Sequence, residues 1–228
     1  FMRLKSAYGK GKERKTEIRI FDDIVASKVA MKNAKLYVNR EEGFVGTSLK
    51  RDAFVADCSD IDDIIVFRKD GKMSVTKVDA KTFVGKDIIY VAVFKKKDKR
   101  TVYNFMYRDG AKGPSYMKRF NVTSVTRDKE YDLSNGTKGS IVHYFSANLN
   151  GEAEVVTINL RAAGSVKKMK WDIDFADLAV KGRAVRGNTI TKYTIKSVDF
   201  KSEGVSTLKP RKIWFDDAVQ RLNVDERG

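Results

Sequence analysis

The sequence is poor in the residues on which most enzyme sites depend. It has a single histidine, His143, and a single cysteine, Cys58. A serine–histidine–aspartate triad or a histidine-rich zinc site would have to use that one imidazole, so the inventory argues against both. No glycine-rich loop ending in Gly-Lys-Ser or Gly-Lys-Thr is present, which argues against nucleotide hydrolysis. These shortages favour a binding function over a catalytic one.

Disulfides, signal peptides and membrane spans are missing from the sequence as well. One cysteine cannot form an internal disulfide, which predicts a reducing compartment. No apolar run approaches the roughly 18 residues of a membrane-spanning helix, and the basic start lacks the apolar core of a signal peptide. The sequence therefore predicts a cytoplasmic protein without a membrane partner.

What the chain has in excess is positive charge. Its 46 Lys and Arg residues against 30 Asp and Glu residues give a formal net charge of +16. Such an excess points to a polyanionic partner, with nucleic acid first. An anionic membrane surface is the rival, but it calls for a basic amphipathic helix or a lipid anchor. Neither pattern occurs in the body of the chain.

The chain divides by pattern into a lead-in, residues 1–31, and a β-rich remainder, residues 32–228. The polar, basic stretch Lys10–Glu17 marks the lead-in, which we expect to be partly helical and to join an upstream domain. From Lys35 onward, short runs of Val, Ile, Tyr and Phe alternate with Gly, Asp and Asn turns, and only two prolines interrupt them. This is the pattern of antiparallel strands, so the predicted fold class is all-β.

The strands recur as a repeat. Each unit has a hydrophobic strand start, a turn glycine, a basic residue and then an aromatic. The strand starts are Leu36, Ile64, Val102 and Val155, the glycines Gly43, Gly71, Gly110 and Gly164, the basic residues Lys50, Lys77, Lys118 and Lys170, and the aromatics Phe54, Phe83, Phe120 and Phe175. A fifth start lies at Ile213. We expect one domain of about four units and a partial fifth, whose last strand completes the first blade and hides its edge.

Four segments of the sequence resemble the gyrase A and topoisomerase IV A family. The lead-in Tyr8–Glu17 resembles the segment that leaves the family's catalytic core, and Lys35–Gly46 resembles the first blade of its C-terminal domain. Lys181–Asn188 resembles a later loop between blades, and Gly204–Leu208 resembles the approach to a closing strand. The resemblance covers nearly the whole chain. It implies a β-pinwheel, a propeller-like ring of about four to five strand-exchanged blades, which binds and bends duplex DNA on its outer rim.

The resemblance also implies a division of labour within a larger enzyme. The strand-cleaving tyrosine belongs to the upstream core of the same polypeptide, so this chain should be non-catalytic and hold no cofactor, with ATP and Mg²⁺ needed only by the full enzyme. Its expected partners are double-stranded DNA, that upstream core and the ATPase subunit, at the bacterial nucleoid. Gyrases carry a Gln-Arg-Arg-Gly-Gly-Lys-Gly box for chiral wrapping. Ser134–Gly139 and Lys181–Arg183 match it only in part, which favours a domain like that of topoisomerase IV.

Basic residues that recur along the units are the candidate DNA contacts. A curved row of cations on the rim suits the phosphate backbone and positions a duplex without reading its sequence. The candidates are Lys50, Arg51, Lys77, Lys81, Lys118, Arg119, Lys168, Lys170, Lys181, Arg183 and Arg186. The alternative for any one of them is a solvated surface side chain. The run Lys95–Arg100 is interpreted as a hairpin tip, which either grips phosphate or keeps the tip soluble.

The remaining features have structural interpretations. The acidic stretch Asp57–Asp63 lacks the spacing of a calcium loop and is expected to be a polar loop between strands, so no metal site is predicted. His143 and Cys58 are expected to be structural. The aromatics that recur along the chain are expected in blade cores rather than stacked on bases, and they are Phe54, Phe83, Phe120, Trp171, Phe175 and Trp214.

Three other functions compete with DNA binding by a topoisomerase domain. A protein-interaction propeller whose charge only confers solubility would bind DNA weakly and independently of the candidate cations. An RNA-binding β-repeat protein would need exposed aromatics on a sheet face. A propeller hydrolase is disfavoured by the residue inventory.

Overall fold

A computed structural model describes residues 2–10, 32–162, 164, 168–217 and 220–224. The chain separates into two compact parts, residues 1–31 and 32–228. In the first part, helix α1 spans Met2–Tyr8 and buries none of its side chains. Helix is therefore present in the lead-in as expected, while the basic stretch from residue 11 to residue 17 lies outside the described residues. No helix in the described ranges is long and apolar enough to cross a bilayer.

The second part is built almost entirely from strands, with one short 3₁₀ helix at Phe175–Asp177. The strands are β1 (Ala34–Asn39), β2 (Phe44–Gly46), β3 (Ala53–Cys58), β4 (Asp63–Arg68), β5 (Lys72–Lys77), β6 (Thr82–Phe83), β7 (Ile88–Phe94), β8 (Val102–Arg108), β9 (Ser115–Asn121), β10 (Glu130–Asp132), β11 (Ile141–Asn148), β12 (Val155–Leu160), β13 (Lys170–Asp174), β14 (Val180–Gly182), β15 (Asn188–Thr191), β16 (Ile195–Ser202), β17 (Ile213–Asp216) and β18 (Arg221–Val224). The predicted all-β class is confirmed.

Repeats follow one another along these strands, and each opens with an antiparallel hairpin. The hairpins are β1–β2, β4–β5, β8–β9, β12–β13 and β17–β18. In the first four repeats, the last strand then pairs with the first: β3 with β1, β7 with β4, β11 with β8 and β16 with β12. The predicted strand starts all lie in the first strand of a repeat, at Leu36, Ile64, Val102, Val155 and Ile213.

The remaining strands are exchanged between neighbouring repeats. Strand β6 of the second repeat pairs with β2 of the first, and β10 of the third repeat pairs with β5 of the second. In the fourth repeat, β14 and β15 both pair with β9 of the third, β14 in parallel and β15 antiparallel. These four are termed the exchanged strands. Because each extends the sheet of the preceding repeat, the predicted strand-exchanged blades of a β-pinwheel are confirmed.

The predicted closure of the first blade by the last strand is wrong for the described residues. The first sheet has the order β3-β1-β2-β6, so both of its edges come from the first two repeats. Strands β17 and β18 pair with each other in a two-stranded sheet. With β3 along β1 and β6 along β2, the central hairpin of the first sheet has no free side on which a later strand could pair.

The central strands of the middle repeats are buried on both faces. In β4, Ile64 packs into a core between the first and second sheets, whereas its neighbour Ile65 packs into a core between the second and third sheets. In β8, Phe105 lies in that second core and Met106 in a third core shared with the fourth repeat. Side chains on a strand alternate between faces, so a strand covered on both sides has a continuous apolar sequence.

The prediction that the recurring aromatics lie in blade cores holds for only some of them. Phe120 and Phe175 are fully buried, and Trp171 packs partly buried against the third core. The prediction is wrong for three that are more than half exposed, Phe54, Phe83 and Trp214. The first two lie on β3 and β6, the edge strands of the first sheet, and the third lies on the two-stranded sheet.

The structure shows the roles of three other local features: the basic run Lys95–Arg100, the acidic stretch Asp57–Asp63 and His143. The run Lys95–Arg100 joins β7 to β8, which belong to different sheets, so the interpretation as a hairpin tip is wrong and the run is a connection between repeats. The stretch Asp57–Asp63 contains the expected turn between β3 and β4, in which the Ser59 amide donates to Asp62 Oδ2 at 2.8 Å. His143 lies in β11, where burial lowers its pKa to about 4, so its imidazole is neutral at physiological pH.

Candidate nucleic-acid interface

The structure separates the predicted DNA contacts into surface cations and buried ones. The exposed residues are Lys50, Arg51, Lys77, Lys81, Lys168, Lys170, Lys181 and Arg186. Arg183 is partly buried. Lys118 and Arg119 are only 5% and 2% exposed. The surface residues are available to a phosphate backbone, whereas the buried pair must have other roles.

The exchanged strands give the surface cations a regular arrangement. Lys81 immediately precedes β6, Lys129 immediately precedes β10, and Lys181 lies in β14. All three side chains are exposed. Because these strands extend three successive sheets along the second hairpin strand of each repeat, each of these sheets has an exposed lysine on or directly before its exchanged strand.

Sequence reasoning missed Lys129, although a signal for it exists. Lys81 and Phe83 share their Lys-x-aromatic spacing with Lys129 and Tyr131. Both lysines lie against rings: Lys81 Nζ is 4.2 Å from the centroid of Phe44, and Lys129 Nζ is 5.5 Å from that of Tyr131. An alignment of the repeats on their hydrophobic strand starts does not bring these two segments into register, because the spacing from strand start to exchanged strand differs between repeats.

Arg119 joins the third repeat to the fourth instead of lying on a rim. Its Nε donates to Asn104 Oδ1 at 2.9 Å, and its terminal nitrogens donate to the carbonyls of Gly151 at 3.0 Å and Glu152 at 3.3 Å and to Thr207 Oγ1 at 3.0 Å. Burial lowers the pKa of its guanidinium. The prediction that Arg119 is a surface DNA contact is wrong, because β9 is covered by the fourth repeat on the face from which Arg119 extends.

Lys118 occupies the opposite face of β9 and is enclosed by aromatic rings. Its Nζ lies 5.2 Å from the centroid of Phe120, 5.7 Å from that of Phe105 and 5.8 Å from that of Tyr107. Burial lowers the pKa of its ammonium to about 8. A side chain enclosed in this way cannot reach a duplex, so the prediction that Lys118 lies on an exposed rim is also wrong.

The ammonium of Lys118 holds a short basic loop. We define the basic loop as residues 183–187, which connect β14 to β15. Lys118 Nζ donates to the carbonyl of Arg183 at 2.6 Å and to that of Val185 at 2.9 Å. Gly187 ends the loop with φ +93°, and a Cβ there would lie 2.3 Å from the carbonyl oxygen of Met117. The loop is therefore pressed against β9 by contacts that leave little freedom.

The two arginines of the basic loop lie on tyrosine rings. The Arg183 guanidinium is 4.4 Å from the centroid of Tyr131, and its Nη1 donates to the Ser124 carbonyl at 2.7 Å. The Arg186 guanidinium is 4.5 Å from the centroid of Tyr116. Stacking covers one face of each guanidinium and restricts its motion, but leaves N–H groups at the edge of the plane for an anion.

Segment Ser134–Gly139, which matches the gyrase box in part, approaches the basic loop at one point of the third sheet. Tyr107 OH donates to the Arg186 carbonyl at 2.8 Å, and Asn135 Nδ2 donates to Tyr107 OH at 3.2 Å. Asp109 Oδ2 accepts from the same Asn135 amide at 3.1 Å and lies 3.5 Å from Arg186. Segment Ser134–Gly139 and the basic loop are far apart in sequence, yet they share Tyr107 and Asp109 as anchors.

The buried carboxylate of the acidic stretch is neutralised by cations. Asp63 is 6% exposed, and its oxygens lie 2.7 Å from Arg127 Nε and 3.4 Å from Lys96 Nζ. Within the described part of the chain, no three His, Cys, Asp or Glu side chains are grouped as a metal site would require.

Comparisons with known proteins relate the chain to one family. Residues 35–203 match a protein family described as topoisomerase C-terminal domain, Bacteroidota. The chain is 29% identical over 199 residues to the A subunit of DNA topoisomerase 4 from Borreliella burgdorferi, a match that covers 87% of this chain and 30% of that protein. The chain thus spans less than a third of the curated relative's length. A solved structure of the C-terminal domain of DNA topoisomerase IV aligns with 12% identity and a TM-score of 0.43, covering 80% of this chain and 64% of the other.

Proposed function

Because the chain belongs to the topoisomerase C-terminal domain family of Bacteroidota, we propose that it is a non-catalytic domain that binds and bends duplex DNA for a type IIA topoisomerase. In this proposal the domain guides the duplex along its surface cations, while the upstream core of the same polypeptide cleaves the DNA. The ATPase subunit, with ATP and Mg²⁺, drives strand passage. The domain itself holds no cofactor and works at the nucleoid in the cytoplasm.

The observation that carries the proposal is the exposed lysine on or directly before each of three successive exchanged strands. Duplex DNA has about one negative charge per 1.7 Å of its axis, so a partner for it needs cations repeated along a path. Lys81, Lys129 and Lys181 supply one such cation per sheet. The formal net charge of +16 adds a long-range attraction that steers the duplex toward the domain.

The proposed mode of binding is like that of topoisomerase IV, with bending but without strong chiral wrapping. Phosphate contacts spread along a curved track offset the cost of a smooth bend, which is about 1–6 kcal/mol for 40–90°. Handed wrapping calls for a further element that holds the duplex where it would otherwise leave the track. The contiguous seven-residue box of gyrases is absent from this sequence.

A salt series with matched lysine variants tests the proposal. In one variant Lys81, Lys129 and Lys181 are changed to Gln; in the control, the exposed lysines Lys35, Lys196 and Lys209 are changed to Gln, so that both lose the same charge. Binding of a 30-base-pair duplex is measured by fluorescence anisotropy between 50 and 200 mM salt. Each lost phosphate contact should weaken binding on the order of eightfold at 0.1 M salt and reduce the salt slope by about 0.9.

The control distinguishes a track from general attraction. We expect the control variant to lose much less affinity and to keep the wild-type slope, because its lysines lie off the exchanged strands. Equal losses in the two variants would contradict the track. Weak binding by the wild type that does not change with salt would favour the protein-interaction propeller instead.

A further inference from the structure

The basic loop interrupts the pairing along β9 at one residue. Strand β14 pairs in parallel with Arg119–Asn121, and β15 pairs antiparallel with Ser115–Met117. Lys118 lies between the two ladders and, among the described strands, has no partner on this side. The chain must therefore reverse direction opposite Lys118, and the carbonyls of the reversing loop are not used by either ladder.

The side chain of Lys118 supplies hydrogen bonds to the loop at the position where backbone pairing along β9 is interrupted. Its ammonium donates to two carbonyls of the loop, those of Arg183 and Val185. No carboxylate in the described residues forms an ion pair with Lys118. A buried ammonium is costly unless its protons are satisfied. Here the loop carbonyls and the faces of the aromatic rings do so, and the loop is bound to the core in return.

Tyr107 adds a second anchor from the neighbouring strand. Its hydroxyl donates to the carbonyl of Arg186 at 2.8 Å, so three carbonyls within four residues face donors from the third sheet. The side chain of Arg186 remains 58% exposed and lies against Tyr116. A loop fixed through its carbonyls presents its arginines in one arrangement, which lowers the entropy cost of binding an anion.

We propose that Lys118 is a positioning residue that holds the basic loop as a preformed phosphate-binding element, through which Arg186 contacts the DNA backbone without Lys118 touching the DNA. This inference rests on the proposed function, since it names a particular contact within the duplex-binding surface. It assigns the two buried donors, Lys118 and Tyr107, to DNA binding at a distance. Arg183, whose guanidinium is tied to Ser124, completes the loop's cationic surface.

The ionisation of Lys118 allows a test by pH, because a purely structural role of this residue would not make DNA affinity depend on its protonation. The titratable groups recorded near its ammonium are Asp132 on β10, whose charge opposes the lowering of its pKa, and Tyr107 on β8, whose ring centroid is 5.8 Å away. On the loop that it holds, Arg186 contacts Asp109 and Tyr116, and Arg183 contacts Tyr131. Because burial lowers the pKa of Lys118 from 10.5 to about 8, the folded protein loses a proton in this range before the unfolded chain does. Stability contributed by this group therefore rises as pH increases from about 8 toward 10.5. DNA affinity should fall over the same range, because a neutral amine holds the carbonyls less strongly.

The test is a double-mutant cycle on the full chain with a 30-base-pair duplex. Arg186→Gln should weaken binding on the order of eightfold at 0.1 M salt, as one lost phosphate contact predicts. Lys118→Met should weaken it by at least as much, although the side chain is buried. The double variant should be no more than about twofold weaker than Lys118→Met, because an unpinned loop no longer presents Arg186. Additive losses would overturn the proposal.

Two further variants protect the test against misfolding. Tyr107→Phe removes one loop anchor and keeps the buried ring, so it should fold, weaken binding and couple to Arg186→Gln in the same way. Tyr103→Phe makes the same change on another buried ring of β8, away from the contacts of the loop, and should bind within twofold of wild type. Wild-type affinity in Tyr107→Phe would contradict the proposal, as would a loss of the same size in Tyr103→Phe.

Trypsin cleavage after Arg183 and Arg186 separates this inference from the proposed function. Lys118→Met and Tyr107→Phe should each speed cleavage at these sites, whether or not the protein binds DNA. Faster cleavage without any duplex binding by the wild type would overturn the proposed function and, with it, the phosphate contact, while leaving the loop anchoring established. Unchanged cleavage together with normal duplex binding would overturn the positioning role alone. Duplex affinity measured as a function of pH gives an independent test of the positioning role. Affinity that falls from pH 7 to 9 in wild type but not in Lys118→Met supports this role. Parallel pH profiles in the two proteins count against it.

Discussion

Replacing Arg119 by Met should destabilise the domain strongly, although sequence analysis places this residue on the surface. The side chain is 2% exposed, and Met has a similar length without hydrogen-bond donors. The change leaves Asn104 Oδ1 and the Glu152 carbonyl without the guanidinium as donor. The Gly151 carbonyl retains the amide of Thr207 at 3.1 Å. Asn104 Oδ1 and the Glu152 carbonyl are therefore the two close acceptors left without this donor. The Leu178 carbonyl also loses a long contact at 3.5 Å, while the Thr207 hydroxyl keeps its bond to the Gly151 carbonyl at 3.2 Å.

The expected loss of stability follows from these contacts. A buried acceptor that loses its donor costs about 1–3 kcal/mol, so two such losses amount to about 2–6 kcal/mol. Removing a buried charge recovers part of this, because the guanidinium no longer has to be desolvated. We expect a net loss of about 3 kcal/mol, which lowers Tm by about 6–12 °C at the 2–4 °C per kcal/mol typical of a domain of this size.

Thermal unfolding followed by circular dichroism and calorimetry measures this loss. The control is Arg51→Met, which makes the same chemical change at an exposed position and should stay within about 0.5 kcal/mol of wild type. In a Trp214→Phe background, the fluorescence of Trp171 on β13 reports the fourth repeat, which should unfold first in Arg119→Met because its junction with the third repeat is weakened. A Tm within 2 °C of wild type would refute the assignment of Arg119 as an inter-repeat contact.

Two further predictions concern activity on DNA. The purified chain should neither relax supercoiled plasmid nor hydrolyse ATP, since it has no Gly-Lys-Ser/Thr loop and the proposed function assigns strand cleavage to an upstream core. Relaxation of plasmid in an agarose-gel assay would contradict this. Ligation of nicked plasmid with increasing amounts of the protein should give a small change in linking number, because the chain lacks a contiguous gyrase box; a large positive change that saturates would show chiral wrapping instead.

The first strands of the repeats can be located from the sequence because of how they are buried. The four consecutive residues Ile64, Ile65, Val66 and Phe67 are each at most 1% exposed, since β4 has a core on either face. A strand enclosed in this way shows an unbroken apolar run rather than alternation. In β8, Val102–Tyr107 are likewise all buried, and the run is broken only by Asn104, whose side-chain oxygen accepts from Arg119 Nε. Such runs mark the centres of the second and third sheets whatever the later course of the chain.

Partners from later repeats cannot be anticipated from the same local patterns. Strand β9, Ser115–Asn121, contains two adjacent basic residues and has the sequence expected of a solvent-facing strand. It is covered because β14 and β15 arrive from the next repeat and because cores lie on both of its faces. Local sequence has no information about which strand will occupy an edge, so the burial of Lys118 and Arg119 follows only from the exchange.

The connection Lys95–Arg100 escapes local prediction for the same reason. Two strong strands separated by a few charged residues are typical of a hairpin, and β7 and β8 meet that description. They lie in different sheets, because β7 returns to β4 within its own repeat while β8 starts the next one. The segment therefore marks a boundary between two repeats, although its local sequence predicts a turn within one sheet.

Under the proposed function, strand exchange also links DNA binding to the cohesion of the domain. Lys181 belongs to the fourth repeat by sequence, yet its strand pairs with Phe120 and its neighbours in the third sheet. Lys129 likewise belongs to the third repeat and adjoins a strand of the second sheet. A phosphate held by either lysine is therefore attached to one repeat through the chain and to its neighbour through the ladder. Pulling on the duplex loads the ladders between repeats rather than a flexible surface loop. A bent duplex exerts an elastic force on the protein that holds it. Cations at exchanged strands can therefore resist this force better than the same charges on free turns.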